Sequence, residues 1–163
     1  MPAFGRFLHD VQIRGSAEGL RAALQTARTE AVSRNAAVRI SIGDANGMPA
    51  WSIGCVRVSV FCPKTIITYR ADTENRVRWG AIDTNEMQAL SEPLGPGSGL
   101  PAGLTFNALG AAPGVARGDD VSRIDIMHLA NAKANRLVIT IAAAGAVSLC
   151  DPSAATDSPN RCA

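Results

Sequence analysis

The residues of this 163-residue chain best suited to covalent chemistry are four cysteines, Cys55, Cys62, Cys150 and Cys162. Their number is even, no CxxC is present, and no Cys/His cluster has zinc-ligand spacing, which argues against a metal centre. Two disulfides fit better and imply an oxidising compartment. Cys150 closes the last apolar run and Cys162 is the penultimate residue, so a bridge between them would staple a Pro/Ser/Asp-rich tail. Closing a loop of this size is worth roughly 2–4 kcal/mol. Cys55 and Cys62 would sit ~23 Å apart on one straight strand, far beyond bonding distance. They pair only if the chain bends between them, near Ser59, and otherwise stand as two buried thiols.

The other reactive side chains form no catalytic set. His9 and His128 are far apart in sequence, and surface or sheet positions are the expectation for both. GxSxG, Walker A, HExxH and GxGxxG patterns are absent from the sequence. Asp119 and Asp120 follow Arg117-Gly118 in what reads as a plain turn. Arg14, Arg21 and Arg28 recur every seven residues, a spacing that suits solvated helix flanks or inter-subunit ion pairs. The expectation is a protein that is not an enzyme and uses no cofactor or metal.

Composition bounds the class. A 47% hydrophobic content suffices for a core, and 18% charged residues is below the usual quarter. The formal net charge is only +2, and all of that excess lies in residues 1–35, with five arginines against three acids. Such a balance does not call for an electrostatic nucleic-acid binder. No run of 18 apolar residues is present.

The elements that must position these residues follow from periodicity. Ile13, Ala17, Leu20, Leu24, Ala27 and Ala31 recur at alternating spacings of four and three, so residues 3–35 read as one amphipathic helix stopped at Asn35. Asp10/Arg14 and Glu30/Arg34 are spaced for i,i+4 ion pairs. Phe4, Phe7, Leu8 and Val11 are apolar as well, but Leu8 and Val11 project away from the later stripe. Strand periods follow at Val38–Ile42, Trp51–Phe61, Thr65–Tyr69, Val77–Trp79, Leu104–Asn107, Arg123–His128, Arg136–Ile141 and Val147–Cys150. A turn at 44–47 makes the first two a hairpin, residues 94–101 form a loop, 110–114 a turn, and 83–90 is ambiguous. One helix followed by strands alone predicts an α+β fold, with the helix laid on antiparallel β-sheet. The expected division is a helical segment, 1–35, and a β-rich head, 36–163.

Several of these segments resemble the minor type IV pilins and type II secretion pseudopilins of the GspH/FimT/FimU kind. Ala23 to Asn35 is similar to that family's ALxxARxEAxxRN helix pattern, and Trp51-Ser52-Ile53-Gly54 to its WxxG hairpin. Leu104 to Gly110 resembles its ItFxxxG strand; Arg136 to Ile139 and Leu149-Cys150-Asp151-Pro152 resemble its closing strands and C-terminal cysteine motif. Residues 72–91 match nothing in the pattern. The resemblance implies a pilin-like fold and a structural subunit that helps initiate, and joins, a pilus or pseudopilus filament. It implies other minor pilins and the major pilin as partners, through the helix and the head. It also implies an apolar half-helix before Pro2 that anchors the subunit in the inner membrane with its head in the periplasm, before passage into the filament; Met1 is then an introduced start. Phe4, Phe7, Leu8 and Val11 become the face that meets neighbouring helices. The alternative within the family is a FimT-like, DNA-binding competence pilin. Members of that kind resemble one another in a GRxR pattern before the C-terminal cysteine; the matching residues here are Gly145-Ala146-Val147-Ser148, without arginine. The remaining candidate DNA contacts are Lys133, Arg136 and Arg161.

Overall fold

The computed structural model describes residues 2–46, 48–86, 88–131 and 135–163. Helix α1 (Pro2–Ser33) is followed by strands β1 (Val38–Ala45), β2 (Met48–Cys55), β3 (Ile67–Arg70), β4 (Val77–Asp83) and β5 (Ala102–Phe106). A short helix α2 (Pro113–Arg117), then β6 (Val121–His128), a 3₁₀ turn (Leu129–Asn131), β7 (Arg136–Ile141) and β8 (Val147–Cys150) complete the chain. The expectation of strands alone after the first helix is corrected by α2: Pro113 sits in its first turn, where its missing N–H costs nothing, and Gly118 ends it at positive φ. The helix stop at Asn35 holds, with that residue at φ 47°.

The strands form two antiparallel sheets, in the orders β3-β2-β1-β5 and β4-β6-β7-β8. α1 packs on both. Its whole predicted stripe, Ile13, Ala17, Leu20, Leu24, Ala27 and Ala31, is buried. Opposite it stand Val38, Ile40, Ile42 and Ile53 from the first sheet and Val77, Trp79, Ile124, Ile126 and Ile139 from the second. Register explains the sharing of a face: Ile40 pairs with Ile53 and Leu104, and Ile124 with Ile139, so alternate residues align across each ladder. The Trp79 indole N–H donates to Ser16 Oγ at 3.0 Å, tying β4 to the helix.

The other face of the second sheet is covered by a strap that runs through residues 88–94. The Arg123 guanidinium donates to the carbonyls of Gln88, Ala89 and Glu92, and Arg136 to the carbonyl of Leu90. Asp125, 0% exposed, accepts from Arg123 and Arg136 at 2.7 Å each and from the Leu94 backbone N–H at 3.0 Å. The strap then lies along the free edge of β4, where Gly97 N–H donates to Trp79 O and Ala81 N–H to Ser98 O. A Cβ on Gly99 would strike the Ala81 carbonyl, so this close approach needs glycine.

Both disulfides form. Cys55 and Cys62 meet with Cα atoms 5.6 Å apart because β2 ends at Cys55 and the chain turns back at Ser59, whose N–H and C=O both bond Cys62. The single run Trp51–Phe61 is therefore a strand plus a tight turn. Cys150 and Cys162 are 4.9 Å apart at Cα, and the tail is further fixed by Asp151 N–H to Asn160 O.

Candidate functional site

The surface that the helix pattern singles out is built from two levels of α1. At the lower level, from Ile13 onward, the apolar stripe disappears into the core. At the upper level Phe4, Phe7, Leu8 and Val11 are all exposed, Leu8 at 45% and Val11 at 53%. Their i, i+3, i+4, i+7 spacing places them on one helix face.

Polar contacts hold this upper level to the head. His9 and His128 stack with ring centroids 3.9 Å apart and planes inclined by 18°. The Ala130 backbone N–H donates to His128 Nδ1 at 3.1 Å, which leaves Nε2 to carry the proton and donate to Gln12 Oε1 at 3.1 Å. Asn135 donates to Asp10 Oδ1 at 2.7 Å. Burial pushes the His128 pKa below its ordinary value of 6.5, and the charges of His9, Arg76 and Arg78 push the same way. The two histidines, 119 residues apart in the chain, thus meet across the helix–sheet boundary. Nothing local signals such a contact. Asp10 turns to Asn135, so the anticipated pairing with Arg14 does not form among the described residues, whereas Glu30–Arg34 does, at 2.6 Å.

Asp120 also departs from the plain-turn expectation. It is buried, takes the Arg39 guanidinium at 2.9 Å and accepts the Thr105 backbone N–H at 3.0 Å. A Cβ on Gly114 would meet its carboxylate, so α2, β1 and β5 close around one acid. Asp119 stays at the surface with Arg117.

Residues 16–157 match the family described as Type II transport protein GspH. The chain belongs to the GspH family.

The fold agrees with that of solved structures. The type IV minor pilin FimU of Pseudomonas aeruginosa is similar with a TM-score of 0.56 at 21% identity, over 93% of this chain and 98% of that one. The minor pseudopilin EpsH of the Vibrio cholerae type 2 secretion system is similar with a TM-score of 0.54 at 11% identity, over 88% and 99%. No curated relative matches the sequence. The pilin-like α+β architecture is that of these structures. Among the described residues, no helix is long and apolar enough to cross a membrane, and no group of three His, Cys, Asp or Glu is placed to hold a metal.

The candidate DNA cations fare differently in this GspH-family fold. Arg136 is buried, with its guanidinium on Asp125 and the Leu90 carbonyl, and so offers no surface charge. The strap over that face of the sheet is what buries it, so its place as a candidate DNA contact is corrected. Burial lowers the Arg136 pKa, opposed by the Asp125 charge, with Arg123 again lowering it. Arg161 is exposed and donates to the Ala154 carbonyl at 3.0 Å. Lys133 lies outside the described residues.

Proposed function

We propose that this chain is a structural subunit that helps to start, and then joins, a type IV pilus or type II secretion pseudopilus. It would act with other minor pilins and the major pilin through the helix and the head. In this reading residues 1–35 are the periplasmic part of the spine and 36–163 the head. A preceding apolar segment holds the subunit in the inner membrane before assembly.

The observation that carries the reading is the exposed stripe Phe4, Phe7, Leu8 and Val11 on a helix whose later apolar stripe is buried. A face of this kind is stable when it packs on another apolar helix. Among the described residues the side-chain hydrogen bonds and ring stacking from the head at this level fall on His9, Asp10 and Gln12, beside the apolar face and not on it. The DNA-binding alternative has less behind it, because Arg136 is internal and Ala146 and Ser148 carry no charge.

The test is a pair of substitutions, Leu8→Ser with Val11→Ser, in the longer chain carrying the membrane segment. Filament assembly should fall sharply while the melting temperature of residues 1–163 stays within a degree or two of the parent, as for other surface changes of up to about 0.5 kcal/mol. Normal assembly by the variant would remove the assigned role of this face.

A further inference from the structure

Two strongly exposed apolar side chains of the head occupy a position where local chemistry disfavours them. Val60 and Phe61, 95% and 83% exposed, form the two central residues of the turn closed by Ser59 and Cys62. Tight turns favour Gly, Asn, Asp, Pro and Ser. A Val-Phe pair gains nothing there in folding, and departures of this kind mark functional sites.

The turn is also held rigidly. The Cys55–Cys62 bridge closes its base, the Arg34 guanidinium donates to the Phe61 carbonyl at 2.6 Å, and Val56 N–H donates to Ala37 O at 3.0 Å. These contacts fix it beside the C-terminal end of α1. Phe4 and Phe7 lie roughly 40 Å away along the helix axis, so the two apolar surfaces are separate.

Charge identifies the occupant. Residues 45–71 contain Arg57, Lys64 and Arg70 and no Asp or Glu. Arg57 stands three residues before Val60 and Lys64 three residues after Phe61, both exposed, and neither forms an ion pair among the described residues. The apex of the turn is apolar, and an exposed cation flanks it three residues away along the chain on either side. That order matches the depth profile of a bilayer, with acyl chains below and anionic headgroups at the cations.

We propose that the Cys55–Cys62 loop is a lipid-contacting tip that inserts Val60 and Phe61 into the surface of an anionic bilayer, with Arg57 and Lys64 against its headgroup phosphates. This interaction is additional to filament assembly and does not depend on it.

The experiment is vesicle co-sedimentation of residues 1–163 with phosphatidylethanolamine/phosphatidylglycerol vesicles, against phosphatidylcholine alone. Binding should be confined to the anionic vesicles and weaken with salt. Val60→Ser with Phe61→Ser should reduce it by about tenfold or more, and Arg57→Gln or Lys64→Gln by about fivefold each. Phe61→Trp should retain binding, and Phe4→Ser with Phe7→Ser should leave it unchanged. All these positions are exposed, so the variants keep the fold, checked by an unchanged melting temperature. Absence of vesicle binding, binding indifferent to Val60 and Phe61, or binding lost with Phe4 and Phe7 would each overturn the proposal. Phe61-dependent self-association in sedimentation velocity without vesicle binding would overturn it in favour of a second copy. A Phe61→Ser defect in filament assembly without vesicle binding would overturn it in favour of a protein pocket.

Discussion

His128 faces His9 across the boundary between β6 and α1, its ring stacked at 3.9 Å and its Nδ1 already occupied by the Ala130 N–H. A proton added at Nδ1 would confront that N–H donor and place positive charge beside His9, Arg76 and Arg78. The neutral ring is therefore the folded form, and acid works against it.

Because the folded pKa of His128 lies below its ordinary 6.5, the unfolded chain takes up the proton first as pH falls. Stability should be constant with respect to this group above about pH 6.5 and decline below it, until the folded form protonates in turn. Thermal melts from about pH 7.5 to about pH 5 should show the decline, and His128→Phe, which keeps a stacking ring, should flatten it. A melting temperature that rises on acidification through this window would contradict the tautomer assignment.

Truncating Leu20 or Leu24 to Ala should cost about 2–5 kcal/mol, since both are fully buried against two sheets. The same truncation at Leu8 should cost no more than about 0.5 kcal/mol. Urea unfolding of the four proteins side by side measures both, and equal losses at Leu8 and Leu24 would mean that α1 packs as one buried unit along its length.

Asp125→Asn should cost about 3–5 kcal/mol, because it leaves Arg123 and Arg136 buried without their counter-charge. The strap should loosen with it. Limited proteolysis between residues 84 and 101, with denaturant unfolding, should show both effects; a variant as stable and resistant as the parent would remove Asp125 as the anchor.

Cys150→Ser with Cys162→Ser should destabilise the chain by roughly 2–4 kcal/mol in the chain-entropy picture. Amide exchange should accelerate first in residues 151–163, which the bridge and the Asp151–Asn160 contact hold against β8.

What the sequence made legible is what periodicity encodes. The stripe from Ile13 to Ala31 and the alternation of Ile124 and Ile126 each report a buried face directly, because helix and strand periods differ. The 83–90 segment was opaque because backbone carbonyls, which have no side-chain signature, are what Arg123 and Arg136 grip from more than 30 residues away. In Arg123-Ile124-Asp125-Ile126 the alternation marks a strand, and the two opposite charges on its other face pair under the strap. His9 with His128, and Arg39 with Asp120, bring together residues from distant parts of the chain, and only the assembled fold defines their distance. α2 was lost because one turn of helix and a Pro-Gly turn look alike over five residues.

The change in how α1 is held along its length also fixes how the subunit would bear load. A pull on the N-terminal end of α1 along its axis meets the lower stripe in shear, where Ile13 to Ala31 must slide together past both sheets before any contact is released. The upper clasp of His9, Asp10 and Gln12 is a few polar links at the end of that lever, and sideways force peels them one at a time. The same continuous helix is therefore held more firmly against an axial pull than against a sideways one.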